Sequence, residues 1–463
     1  SSYDQAIRLK PDLAEAYNNR GNALRDTSRL EEALSSYDQA IRLKPDYSVA
    51  YSNRNLVLNY SPQLTQADIF LKHLEFQKQF GLNASRKSYD NQIVSTKQIK
   101  RLKIGYLSPD FRTHSVAYFC EPLLKSHDKD IVEIYCYYNN IQHDATTQRL
   151  MNKADYWRSI SGISDQKVID LIKKDKIDIL VDLAGHTAQN RLTIFPYRPA
   201  KIQVTWLGYP NTTGLNTIDY RFTDSIADPV GEADKLHSEK LVRLPYGFLC
   251  YQGDESVPVV KRPPCLDQGY VTFGSFNNIS KLTPSVVDIW AQILRAVPNS
   301  HLLLKSKQLA DVKTKSRYLE MFDEQGVSAT RIKFHSHLAK SRDHLDLYGR
   351  VDVSLDPFPY NGTATTCESL WMGVGVITMA GDRHSGRVGA SIMTHSGLEA
   401  FIAKDTTEYV RLAVEYANNT NYLADLRSTL RNKLVNSALC NSEVFAKSIE
   451  QKYQDMWDRH IMP

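Results

Sequence analysis

The chain has 463 residues, more than one ordinary domain holds, so two to four domains are expected. Hydrophobic residues at 42% and charged residues at 24% exclude a disordered chain, and no run of about 18 apolar residues is present to span a membrane. The net charge of +5 suits an anionic ligand such as a diphosphate, but the basic residues gather on no dense face of the kind nucleic acid needs.

The opening residues carry no basic-then-apolar signal region. The six cysteines (Cys120, Cys136, Cys250, Cys265, Cys367 and Cys440) are scattered and form no C-x-x-C pair. Reduced thiols and a cytoplasmic location are the expectation, with the nucleus open if the source is eukaryotic.

In chain order, a repeat comes first. SSYDQAIRLKPD stands at Ser1–Asp12 and again at Ser35–Asp46, an offset of 34 residues. That period, with helix-like spacing of Tyr3, Ala6 and Ile7 and a proline ending each unit, is the tetratricopeptide pattern. About one and a half repeats fit within 1–60, fewer than the three or so that a free-standing stack needs. The expectation is a longer natural arm whose last helices lean on the next domain. A further helix is expected over 61–81 and a polar loop over 83–100, together a linker at 61–100.

The character changes at Arg101. Apolar runs at 101–108, 130–138, 177–183, 201–207 and 219–223 alternate with helical patterns such as 166–175. This predicts a parallel sheet covered on both faces, within 101–257. A proline-rich break follows at 258–264. The alternation then restarts: strands at 270–275, 300–305, 332–334, 351–355 and 376–379, with a helix at 284–297, make a second unit over 265–441. Two successive Rossmann-like units would place a ligand in the cleft where the carboxyl ends of their strands face each other. A last helix, 442–463, buries Phe445, Ile449, Tyr453 and Trp457 at four-residue spacing.

Three loops after strands draw the eye. They are 108–115, which holds His114; 185–187, which holds His186 just beyond Asp182; and 356–369, whose glycine and threonines open a helix. Exposed N–H groups and the dipole make such a helix start an anion site, although simple threonine capping gives the same pattern. Lys281 lies in another strand-to-helix loop, where a lysine can neutralise a leaving diphosphate. His114 and His186 suit general bases or hydrogen-bond donors to a sugar, and also plain structural roles. Asp128-Lys-Asp130 has D-x-D spacing but precedes a strand, so it reads as a charged turn. No metal motif, P-loop or G-x-G-x-x-G occurs.

The segments RLKIGYLSPDFRTHSV, DILVDLAGHT, QVTWLGYPNTTGL, FGSFNNISKLTP, YNGTATTCESLWMG and GDRHSGRVGASI, after tetratricopeptide repeats, resemble the protein O-glycosyltransferases of the O-GlcNAc transferase and SPINDLY type. The SPINDLY members look nearest. The resemblance covers essentially the whole chain. It implies an α/β GT-B core of two Rossmann-like domains, with the last helix crossing back to the first, behind an all-α repeat segment. It implies inverting transfer of one sugar from a nucleotide-sugar to Ser or Thr of acceptor proteins, without a metal or other cofactor.

The same resemblance assigns roles. Lys281 matches the diphosphate lysine, and His114, Asp182 and His186 match residues lining the cleft. Thr363, Thr365 and Thr366 fall in the diphosphate loop, and Asp382, Arg383 and His384 in a loop beside the nucleotide. Asn278 and His344 join the donor-binding set. Acceptor proteins would lie along repeats and cleft, and repeat arms of this type can pair into homodimers. Two departures from the O-GlcNAc pattern bear on the donor. The diphosphate loop reads Thr363-Ala364-Thr365, and Leu347 replaces a basic residue three positions after His344. These favour GDP-fucose over UDP-GlcNAc. Two rival readings are a catalytically inactive repeat scaffold, and a GT-B epimerase or small-molecule glycosyltransferase.

Overall fold

The computed structural model describes residues 2–81, 100–258, 262–336, 338 and 341–461. The loop expected at 83–100 lies outside these residues except for Lys100. Five helices come first: Ser2–Leu9, Ala14–Asp26, Leu30–Leu43, Ser48–Leu58 and Gln66–Phe80. The second and third form an antiparallel pair packed through small residues. A Cβ on Gly21 would stand 2.5 Å from the Tyr37 ring, so only glycine lets these helices approach so closely. The fifth is closed by a capping box of Thr65 and Asp68.

Seven strands build the first sheet: β1 (Leu102–Ser108), β2 (Val132–Tyr138), β3 (Tyr156–Ser159), β4 (Ile179–Asp182), β5 (Ile202–Thr205), β6 (Tyr220–Thr223) and β7 (Lys240–Arg243). Their order is 3-2-1-4-5-6-7, all parallel. Six strands build the second: β8 (Thr272–Ser275), β9 (His301–Lys305), β10 (Ile332–His335), β11 (Val353–Leu355), β12 (Gly375–Met379) and β13 (Ile402–Ala403), in the order 10-9-8-11-12-13, again parallel. Strands β3, β7 and β13 are absent from the sequence reading. Each is a short edge strand with weak apolar patterning; in β3 only its middle residues are even half-buried.

Strand order reverses between β1 and β4 in one sheet and between β8 and β11 in the other. The loops leaving these four strands flank the two crevices in which doubly wound sheets bind ligands. The helix Ser442–Ile461 returns to the first sheet. There the Tyr453 hydroxyl meets that of Tyr106 at 3.0 Å, and the Glu450 carboxylate accepts from the His127 ring and the Asp128 N–H.

The helical segment is not a free arm. Tyr51 and Phe76 are buried in one cluster with Leu107, Tyr137, Leu180 and Ile218 of the first α/β unit. Below them runs a buried polar seam. Asn59 Oδ1 accepts from Asn211, Asn211 Oδ1 accepts from Gln66, and the Tyr209 hydroxyl donates to the Asn55 carbonyl. The segment Tyr209–Gly214, conspicuous in sequence, is therefore the dock for the repeats. Asp128 accepts from the Asp130 N–H, as a charged turn before β2. Among the described residues no helix is long and apolar enough to cross a membrane.

Candidate active site

The loops after β8 and β11 bring together a compact set of polar groups. Lys281 closes a short 3-10 turn, Ile279–Lys281, and sends its ammonium back to the Asn361 carbonyl (2.6 Å) and Asn277 Oδ1 (3.2 Å). Asn277 Oδ1 also accepts from the Thr365 hydroxyl at 3.1 Å. Asn361 is itself fixed, accepting from the Gly389 N–H and donating to the Pro357 carbonyl. Buried Asp356, at the end of β11, accepts from the Gly362 N–H at 2.6 Å and the Thr378 hydroxyl at 2.7 Å. Burial pushes the Lys281 amine down from the ordinary lysine range, opposed by Asp356, and pushes the Asp356 carboxyl up.

The helix Ala364–Trp371 starts at this cluster. Thr363 precedes it without a side-chain cap, so the first-turn N–H groups receive no hydroxyl from that residue. The Thr366 hydroxyl is buried and has no partner. Gly362, just ahead of Thr363, crowds it: a Cβ there would stand 2.6 Å from both Thr365 Oγ1 and Thr366 Oγ1. An uncapped helix start, an unpartnered hydroxyl and an ammonium converge on one spot, the arrangement that suits a diphosphate.

A cavity of about 710 Å³ lies between the two α/β units, lined by Thr113, Gln252–Asp254, His344 and Glu368 among others. His344 Nε2 bonds to Glu368 Oε2 at 2.9 Å, while its buried Nδ1 is unpartnered. His114, next to the lining residue Thr113, is the N-cap of the helix Ser115–Ser126. Its Nδ1 accepts from the Val116 N–H at 3.3 Å. Burial lowers its pKa, with Asp110 opposing, so the ring is neutral near pH 7. A neutral ring accepting at Nδ1 carries its proton on Nε2.

The remaining sequence candidates are engaged elsewhere. Asp182 is fully buried; its oxygens accept from the Ala184 and Gly185 N–H groups and the Thr205 hydroxyl. Burial raises its pKa to about 6 against those three bonds. It shapes the turn after β4. His186 sits at the repeat dock, its Nε2 on the Thr213 carbonyl at 2.8 Å and its Nδ1 on the Ser52 hydroxyl at 3.1 Å. Burial drives its pKa down to about 3. Asn278 caps its own turn, accepting from the Ser280 N–H and from Gln308. Arg383 holds the Ser61 and Leu64 carbonyls of the helical segment and pairs with Asp382. His384 bridges the two α/β units to Asp228 at 2.7 Å. Asp382–His384 thus join parts of the molecule, and the next residue, Ser385, accepts from the Asn361 N–H through its carbonyl. Among the described residues no group of three or more His, Cys, Asp or Glu side chains could hold a metal ion.

Comparison with known proteins bears on what such a cradle serves. The family model of glycosyl transferase family 41 matches residues 72–261 and 254–449, and a tetratricopeptide model matches 14–47. The chain belongs to glycosyl transferase family 41. It is 44% identical over 408 residues to a barley (Hordeum vulgare) protein described as a probable UDP-N-acetylglucosamine–peptide N-acetylglucosaminyltransferase SPINDLY, covering 87% of this chain and 43% of that one. It is 32% identical over 374 residues to an Arabidopsis thaliana protein similarly described but designated SEC, covering 78% and 38%. This chain thus spans less than half the length of these curated relatives. Among solved structures it superposes on a lysine-to-methionine mutant of the Thermobaculum terrenum O-GlcNAc transferase with a TM-score of 0.92 and 33% identity, covering 99% of this chain and 87% of the other. The GT-B core behind a repeat segment is therefore the fold of this chain.

In this family 41 chain the sequence does not single out Asn277, or Asp356, Tyr360 and Asn361 within the loop 356–369. Asn277 and Asn278 are neighbours of one type, and only the backbone decides which of the two points inward. Asp356 had a signal, an acidic residue ending an apolar strand. Asn361 acts mainly through its carbonyl, which no side-chain pattern reports.

Proposed function

We propose that this family 41 chain is an inverting protein O-glycosyltransferase whose donor diphosphate rests on Lys281 and the start of the helix Ala364–Trp371. The unpartnered Thr366 hydroxyl, on the helix start whose Thr365 hydroxyl shares Asn277 Oδ1 with the Lys281 ammonium, is the observation that carries this reading. A serine or threonine hydroxyl of the acceptor attacks the anomeric carbon. The carbon–oxygen bond to the phosphate breaks, and its electron pair stays with the diphosphate. The ammonium, the Thr365 and Thr366 hydroxyls and the helix N–H groups hold that charge in place, and such pre-placed donors stabilise the transition state. His114 contributes an N–H donor near the sugar. The oxygens of Asp182 are occupied and His186 is sealed under the repeats, so the acceptor's proton leaves through water.

Replacing Lys281 by methionine tests the assignment: about a hundredfold or greater loss of transfer with an unchanged melting temperature is expected. Near-normal turnover would end it. An inactive scaffold would show no transfer in the parent chain either.

For the donor, GDP-fucose is favoured by Thr363-Ala364-Thr365 and by Leu347, a buried apolar residue where a basic one would read the base. UDP-GlcNAc is favoured by the relatives, which are described as probable UDP-N-acetylglucosamine–peptide N-acetylglucosaminyltransferases. Thermal shift separates them, since a ligand at a hundred times its Kd adds about 2.7 kcal/mol. Stabilisation by UDP-GlcNAc and not by GDP-fucose would overturn the fucose reading.

A further inference from the structure

Lys281 has a neighbour that the chemistry above does not use. Its ammonium stands 4.3 Å from the centre of the Tyr360 ring. Tyr360 belongs to the loop after β11, yet it packs into the helical segment's own core, against the cluster of Leu24, Leu30, Tyr37, Val57 and Tyr60. The Tyr60 ring, just beyond the helix Ser48–Leu58, stacks on it with centroids 4.8 Å apart and planes 27° apart. A column thus runs from repeat core to ammonium: Tyr60, Tyr360, Lys281.

A second contact ties the same two regions together. The turn between the helices Ala14–Asp26 and Leu30–Leu43 touches the 3-10 turn that carries Lys281. The Ser28 hydroxyl donates to the Ile279 carbonyl at 3.1 Å, and the Ser280 hydroxyl donates to the Arg25 carbonyl at 2.8 Å. The Tyr318 hydroxyl closes this joint, within 2.8 Å of Ser28 Oγ and 3.0 Å of the Ile279 carbonyl. The lysine's backbone and its aromatic floor are therefore both braced by the repeats.

We propose that Tyr60 is a positioning residue for Lys281, acting through Tyr360, so that the repeat segment forms part of the diphosphate site. This rests on the reading of Lys281 as the diphosphate's partner. A lysine carries four rotatable bonds and about 2 kcal/mol of rotamer entropy. Two hydrogen bonds fix the amine from one side; the Tyr360 face supplies a cation–π contact and excludes water from another. Tyr360 has freedom to tilt unless something backs it, and Tyr60 is the ring behind it. Asp356 is the charged group that faces the ammonium from β11. Tyr60 needs only its ring for this task, which separates it from a hydrogen-bonding role.

The test reads Lys281 directly. Competitive acetylation by acetic anhydride over a pH series, followed by mass spectrometry of the Lys281 peptide, gives the amine's titration midpoint. In the parent chain and in Tyr60→Phe the midpoint lies below that of surface lysines. In Tyr60→Leu it moves up by about one pH unit, as water reaches the amine. An unmoved midpoint in Tyr60→Leu, or an equal move in Tyr60→Phe, overturns the proposal. Should Tyr60→Leu lose its cooperative melting transition, Tyr60→Met fills the space without a ring and takes its place.

Calorimetry with GDP and with UDP supplies the second reading. Tyr60→Leu weakens binding of the preferred nucleotide about fivefold in the parent background and not in Lys281→Met. Equal weakening in both backgrounds overturns the link to Lys281. A Lys281→Met chain that binds both nucleotides like the parent removes the diphosphate reading instead, and the acetylation midpoint still judges Tyr60.

Discussion

Gly362 gives the sharpest test of the cradle. Gly362→Ala adds one methyl group, 2.6 Å from Thr365 Oγ1, 2.6 Å from Thr366 Oγ1 and 3.1 Å from Asn277 Oδ1. Contacts under 3.0 Å require movement, and both hydroxyls lie at the start of a helix whose backbone is held by β11 and β12 packing. They rotate away from the ligand position or the loop shifts. A hydrogen bond to a charged group contributes about 1.5–3 kcal/mol. Losing two gives about 3 kcal/mol at the lower bound, or roughly a hundredfold in nucleotide affinity. The overpacked methyl costs about 1–3 kcal/mol of stability in addition. Calorimetry with GDP and UDP reads the first effect, and urea unfolding the second. Parent-like affinity in Gly362→Ala would refute a diphosphate seated against Thr365 and Thr366.

Other outcomes follow from the same geometry. His114→Gln, which keeps an N–H donor, is expected to retain about tenfold more transfer than His114→Phe; equal losses would mark His114 as the base instead. His186 has its folded pKa near 3, below the ordinary value of about 6.5, so the unfolded chain binds the extra proton first. The stability it contributes is complete above about pH 6.5 and falls as the pH drops from there towards 3. His186→Gln flattens that part of a urea-midpoint series, and a slope left unchanged would refute the assignment. Arg383→Ala leaves the Ser61 and Leu64 carbonyls without their donor and is expected to lower stability by about 1–3 kcal/mol, read in unfolding midpoints.

Much of the architecture was legible because it is repetitive. The 34-residue offset, the alternation of apolar strands with helices and the four-residue spacing of the last helix each state a period, and periods survive in a single sequence. Edge strands β3, β7 and β13 state none. At the site, Lys281 and the threonines of the Thr363–Thr366 stretch were visible as residue types in loops after strands. Which of them share one anion position is a matter of backbone direction. His186 shows the converse. It follows a strand beside Gly185 and reads like a cleft residue, yet the chain turns it under Ser52 and Asn55 of the repeats. Sequence spacing shows that a histidine follows a strand, and tertiary packing decides which wall it joins.

The insertion of Tyr360 into the helical core constrains how such proteins can be recombined. Repeats are normally treated as interchangeable beads, and their number can vary wherever each bead touches only its neighbours. Here the beads up to Leu9 are free to change in that sense. The three helices from Ala14 to Leu58 are not, because they grip the loop after β11, some 300 residues away in sequence. A chimaera that grafts a foreign arm should therefore make its seam upstream of Ala14. A seam at the apparent sequence boundary near residue 60 would exchange the packing behind the Lys281 cluster along with the arm.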